Sequence, residues 1–354
     1  MFNKSVQIKI LINTEASNNK HKQVFPVAKT ARLRNIPDII SFRANFAYDG
    51  LFSTFEFSTR SIIAPFVGDI TEVYFINDDG SENYIVSGYI LKTAISHDKI
   101  FTCSCVSLTW ILSKTIVSPS AEPWTFRDIS PFALANRLAE PFGLRFEIRK
   151  DANAANAAIS KYEVGNTATA ADVILDVCRA SGLYINVQIG SINPMMLHIH
   201  NLQDIIGRID LPSSVSPIYN FNIEYSSENL YAARIGKYLG NESGLDDRVL
   251  FSDDNAPFPT AKIIEARHPD FMQSAVERAR EKDFVSSCKL NFTAADYKIN
   301  RQMLKTAATI TVNAPEYGIQ NTDFFITDIE INFDGSGIRS NISACLESAR
   351  FGVR

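Results

Sequence analysis

The residues with the chemistry to break a bond or hold a metal are few and scattered. His198 and His200 in "HIH" stand two apart, which on a strand puts both imidazoles on one face, half of a metal site. No third ligand follows at a matching spacing, and ordinary strand histidines account for the pair. Cys103 and Cys105 in "FTCSCVS" share a face in the same way without a second pair or a nearby histidine, so they read as small strand residues. Asp246 with Asp247, and Asp253 with Asp254, supply adjacent carboxylates such as a glycosidase sets about a sugar bond. Both pairs lie in a stretch rich in Gly, Asn and Ser, where solvated loop charges are the plainer reading. A G-x-S-x-G elbow, a Walker lysine loop and a G-x-G-x-x-G turn are all missing. The expectation is a protein with no catalytic, cofactor-binding or metal-ligating residues, one that acts through its surfaces.

Bulk properties agree. The 354 residues suffice for two or three domains, and 45% hydrophobic with 21% charged residues describes a folded chain. Lys and Arg number 35 against 39 Asp and Glu, a net charge of −4 that leaves no basic footprint for nucleic acid and no polybasic anchor for a membrane. The opening "MFNKSVQIKILIN" alternates like a strand and has no signal-peptide core, and no run is long enough to span a bilayer. Five cysteines, odd in number and dispersed, argue against a disulfide framework and for folding in a reducing compartment.

The elements that must build those surfaces fall into three blocks. Residues 1–115 read as strands separated by turn signals such as Asp49-Gly50 and Asp78-Asp79-Gly80, an antiparallel sheet or small barrel. Residues 116–204 change period. Ser130-Pro131 and Thr169 with Asp172 start two short amphipathic helices, Gly143 and Gly182 follow them, and "LRFEI" and "LYINVQI" are the strands after each. "LANRLAEPFGLRFEI" and "VILDVCRASGLYINVQI" share one plan, a helix, then Gly-Leu, then a strand, as a weak internal duplication would. Residues 205–354 return to strands, with one helix from about Asp270 to Phe284.

The last hairpin is the most strongly patterned. Phe325, Thr327, Ile329, Ile331 and Phe333 alternate with polar residues up to the turn Asp334-Gly335-Ser336-Gly337, after which Ile338, Ser340, Ile342, Ala344 and Leu346 continue. That turn pairs Phe333 with Ile338, Ile331 with Ser340 and Ile329 with Ile342, so all of these share a core face. Asp328, Glu330, Asn332, Arg339, Asn341 and Glu347 share the other face, and Asp328, Glu330 and Asn341 are the candidate assembly surface.

Read in order, several segments resemble the phage tail baseplate hub family of Mu-like contractile-tailed phages, related in architecture to the T-even hub and to the hub portion of type VI secretion spikes. They are "GDITEVYFINDDGSENYIVSGYI" from Gly68 to Ile90, "LANRLAEPFGL", "YEVGNTATAADVILDVCRASGL", "YNFNIEYSSENLYAARIGKYLG" and "TVNAPEYGIQNTDFFITDIEINFDGSGIRSNISACLESARF". In the fourth, Arg234 to Tyr238 is similar to an Arg-Ser-x-Tyr element, with Gly236 in place of the serine. Residues 13–37 are longer than the family's opening, and "NRQMLKTA" lacks a Gly-x-Leu-Trp found there.

The resemblance implies a mainly β fold, two tube-like antiparallel β-barrel domains (1–115 and 205–354) around a small α+β module (116–204). It implies a homotrimer whose ring adapts a sixfold tail tube to a threefold central spike. The partners would be the spike protein and the tail tube or distal tail tube protein, with tape measure and baseplate wedge proteins beside them. The place would be the baseplate of the virion tail, assembled in the host cytoplasm. The rival reading is a tail-borne cell-wall glycosidase or amidase, but the two β-blocks and the insert leave no segment large enough for a lytic domain. A carbohydrate-binding β-protein is a third reading, supported only by single aromatic faces.

Overall fold

The computed structural model describes residues 5–12, 32–60, 67–117, 124–149, 152–165, 167–197, 205–211, 218–238, 248–252, 259–266 and 272–346. The His198/His200 pair and both Asp-Asp pairs lie outside these residues.

Alternating sequence becomes a single large sheet. Its strands are β1 (Ser5–Ile12), β2 (Arg32–Ile36), β3 (Ile39–Ala47), β4 (Thr54–Thr59), β5 (Ile70–Ile76), β6 (Glu82–Ile95) and β7 (Phe101–Ser107) from the first block. The last block adds β8 (Ile205–Asp210), β9 (Ile218–Tyr225), β10 (Cys288–Ala294), β11 (Thr309–Ala314), β12 (Ile319–Asp334) and β13 (Gly337–Leu346). The order is β9-β10-β13-β12-β3-β4-β7-β6-β5-β1-β2, with β11 beside β12 and β8 beside β11. The protein is therefore mainly β, and among the described residues the sheets do not close into barrels: the two blocks join edge to edge where β12 pairs with β3, Ile331 opposite Ala44. Strand β12 is long enough to serve two neighbours on that side, β11 along its first half and β3 along its second. Phe42, Phe57, Phe75, Ile310, Ile329, Ile331 and Ile342 belong to one buried cluster that runs across the join.

The last hairpin pairs in the register read from its sequence: Phe333 with Ile338, Ile331 with Ser340, Ile329 with Ile342. Asp334 shapes the turn by accepting hydrogen bonds from the Ser336 N–H at 2.8 Å and hydroxyl at 2.5 Å, and Gly337 takes a φ of 115° that a side chain would resist. Further down, the expected face assignment is corrected. A bulge between Ile326 and Asp328 shifts the parity by one, so Phe324 and Ile326, not Phe325 and Thr327, continue the face of Ile329 and Ile331. Thr327 is accommodated because its hydroxyl donates to the Ser343 carbonyl (3.1 Å) and its carbonyl accepts from the Tyr48 N–H (2.8 Å). Phe325 turns to the opposite side, packing with Tyr48, Tyr184, Leu197, Ala307 and Cys345, the joint where the insert meets both β-blocks.

The insert follows its local signals. Helix α1 (Pro131–Ala139) starts with the Ser130 hydroxyl accepting from the Ala133 N–H, and α2 (Ala170–Ala180) with a reciprocal Thr169–Asp172 capping box. The strands Glu147–Ile148 and Tyr184–Val187, one from each helix–strand unit, flank the strand Pro194–Leu197 on either side. Its core, including Leu134, Ile174, Val177 and Leu183, is separate from that of the large sheet and takes in Leu51 and Leu112 from the first block. A third helix, α3 (Met272–Ser287), lies against a three-stranded sheet of Ala233–Tyr238, Arg248–Ser252 and Ala261–Ala266.

Candidate functional site

Asp328, Glu330 and Asn341 lie together on the polar face of the large sheet, Glu330 and Asn341 directly opposite each other. Beside them β3 brings Arg43, whose Nη2 donates to Glu330 Oε2 at 2.5 Å. The other oxygen of Glu330 accepts from the amides of Asn332 (2.7 Å) and Asn341 (3.2 Å), and Asn341 accepts in turn from the Thr293 hydroxyl (2.9 Å). A hydrogen-bonded row thus crosses β3, β12, β13 and β10, and it spans the join between the blocks. Glu330 is not the simply solvated position that its alternation implies.

The electrostatics differ along the row. Partial burial tends to raise the Glu330 pKa, but the bonds from Asn332, Arg43 and Asn341 outweigh it and hold the carboxyl below its ordinary value. The folded state then binds fewer protons than the unfolded one, so the stability this group adds is complete above the unfolded carboxylate range and is lost as pH falls through the folded pKa. Asp328 is shifted the other way: desolvation by the surrounding sheet raises it, with the Thr327 hydroxyl and Lys289 opposing. Replacing Glu330 by alanine is expected to cost about 1 kcal/mol at neutral pH, since it strands three donors of which two remain near water. The deficit should shrink in acid, and urea unfolding at pH 7 and pH 3 measures both.

Other candidate chemistry resolves into structure. Cys103 and Cys105 are buried on β7; burial pushes the Cys103 thiol up to about 11 and Cys105 well above its usual value, which removes the thiolate a metal or a nucleophile needs. Among the described residues no group of three or more His, Cys, Asp or Glu is placed to hold a metal ion. A shallow groove beside Tyr219, Thr293, Ser336 and Arg339, about 470 Å³, has no carboxylate, histidine or cysteine in its lining.

Alternation and capping gave no hint of a buried charge cluster around α3. Arg234, 1% exposed, donates through Nε (3.1 Å) and Nη2 (3.0 Å) to Asp283, whose other oxygen accepts from Lys262 at 2.7 Å. Five residues earlier on the helix Arg278 pairs with Asp49 (2.7 Å) and lies over the Tyr184 ring. Arg278 and Asp283 thereby tie α3 to the first block and to the small sheet. The available signal was negative: α3 carries few apolar residues, so a helix that is buried must be held by its charges.

No protein-family model matches the sequence, and no curated protein matches it. The fold is similar along nearly its whole length to two crystal structures. One is the 43 kDa tail protein of prophage MuSo2 from Shewanella oneidensis, with a TM-score of 0.72 at 12% identity, covering 97% of this chain and 98% of that one. The other is the tail protein from Neisseria meningitidis MC58, with a TM-score of 0.72 at 13% identity and coverage of 97% and 96%. A component of the Escherichia coli type VI secretion system, itself structurally similar to T4 bacteriophage tail proteins, aligns with a TM-score of 0.53 at 11% identity over 90% of this chain and 76% of that one. The chain has the fold of these tail proteins, as the resemblance in its motifs led one to expect.

Proposed function

We propose that this chain, with the fold of prophage tail proteins, is the structural hub of a contractile-tail baseplate. Three copies form a ring that meets the sixfold tail tube, or a distal tube protein, on one side and the threefold central spike on the other. Tape measure and wedge proteins lie nearby, and assembly takes place in the host cytoplasm. The observation that carries the reading is the alignment with the Shewanella tail protein, which uses 97% of this chain and 98% of that one. The division into 1–115, 116–204 and 205–354 belongs to the same reading, each β-block presenting a tube-like unit to the ring. Asp328, Glu330 and Asn341 are its candidate contact surface.

The mass of the purified protein, alone and mixed with a trimeric tail spike, tests the ring. A threefold mass that rises on adding the spike is expected, and a stable twofold dimer would exclude a ring of this kind. Purified protein should also fail to clear peptidoglycan. Hydrolysis abolished by an acid-to-amide change would instead make it a cell-wall hydrolase.

A further inference from the structure

Beside the turn of the last hairpin lies the shallow groove of about 470 Å³, and we propose that it is a binding site for a carboxylate-bearing saccharide. The inference is independent of the ring reading. The groove has the volume of a small-molecule site but is shallow, so it suits an extended ligand laid across it rather than one enclosed by it. Neighbouring strands supply its lining: Tyr219 and Asn220 come from β9, Thr293 from β10, and Ser336, Ile338 and Arg339 from the hairpin turn and the start of β13.

Local backbone chemistry places these groups. The pairing of β9 with β10 slips between Tyr219 and Asn222, and within that bulge Asn220 takes a φ of 52°, a left-handed conformation that asparagine tolerates better than most residues. A regular strand would turn Tyr219 and Asn220 to opposite faces, whereas with the bulge both line one groove. On the hairpin side Arg339 is exposed, and its Nη2 donates to the Ser336 hydroxyl at 3.0 Å. That hydroxyl donates in turn to Asp334 at 2.5 Å, so the turn steadies the guanidinium.

What these side chains leave free defines the ligand. Among the described residues no carboxylate forms an ion pair with Arg339, so its remaining N–H groups are open to an anion, and a guanidinium meets a carboxylate with two parallel bonds. The acid of the turn, Asp334, is committed to the Ser336 N–H and hydroxyl, which hold its carboxyl below its ordinary value, and the attraction of Arg339 adds less. Asp296, just past the end of β10, accepts from the Tyr297 N–H at 2.7 Å. Neither acid lines the groove. Asn220 offers an amide donor and acceptor, and the Thr293 hydroxyl, which donates to Asn341 at 2.9 Å, keeps its oxygen for a ligand O–H. Tyr219, 51% exposed, presents an apolar ring with a hydroxyl at its edge. A carboxylate for the arginine, hydroxyls for the amide and the threonine, and a face of C–H groups for the tyrosine together describe an acidic sugar. A small free anion would use Arg339 alone.

The test is calorimetric titration of the full chain with a galacturonic acid trimer, the neutral galactose trimer, acetate and a triglutamate peptide. The acidic trimer should bind, the neutral trimer about tenfold more weakly, and acetate more weakly still. Arg339→Gln should remove the preference for the acidic trimer, Arg339→Lys, which keeps the charge without the fork, should retain part of it, and Tyr219→Ala should weaken both sugars. Circular dichroism establishes that each variant is folded. No binding of the acidic trimer at millimolar concentration, equal binding of the two trimers, or an affinity unchanged in Arg339→Gln overturns the proposal. Acetate bound as tightly as the acidic trimer would make the groove a simple anion site, and triglutamate bound more tightly a peptide site; either result overturns it as well.

Discussion

Ile331→Ala is expected to cost roughly 2–5 kcal/mol and to leave the large sheet unfolded or marginal. Ile331 is fully buried, and its register neighbours on both sides, Ala44 and Ser340, are small and fully buried too. The isoleucine therefore supplies most of the volume of its row, and strands paired on both sides cannot close over the cavity it would leave. Its strand is also the join between the two β-blocks, so the loss should appear in both. Hydrogen exchange in β4 and in β13 should accelerate together, and the urea midpoint should fall. A loss below about 1 kcal/mol, or exchange confined to β13, would show that the blocks do not share one cooperative core. Against it, Glu330→Ala on the opposite face of the same strand is the milder change.

Asp283→Ala should be nearly as damaging, roughly 3–5 kcal/mol, because it leaves the Arg234 guanidinium buried without a counter-charge. Lys262, about one-third exposed, can turn its ammonium to solvent, whereas Arg234 at 1% cannot. The comparison that isolates the cause is the double change Arg234→Met with Asp283→Leu. By removing both charges at similar volume it should recover most of the stability lost in the single variant. Thermal unfolding of the three proteins decides the point. A double variant no more stable than Asp283→Ala would mean that packing around α3, rather than the stranded charge, sets the cost.

What could be read in the sequence was local. Ser130, Thr169 with Asp172, Gly143 and Gly182 mark the helix ends because a cap or a left-handed turn is settled within a few residues. Asp334 to Gly337 fixed the register of the last hairpin, since a tight turn leaves its flanking strands one way to pair. The ordered motifs from Gly68 to Phe351 pointed to the fold of phage tail proteins before any coordinate.

Tertiary structure decided what depends on residues far apart in the chain. Alternation carries face information only until a bulge, and the bulge at Thr327 is held by Tyr48 and Ser343, so Phe325 could not be placed from its own strand. Glu330 looked solvated because its partner Arg43 is 287 residues away, and Arg234 could be buried only because Asp283 lies 49 residues further on. The antiparallel joining of β3 to β12, strands more than 200 residues apart in the chain, made one sheet of the two blocks. Pairing across that distance is an energy of the folded sheet, in which strands meet by shape and backbone bonds that no single segment carries.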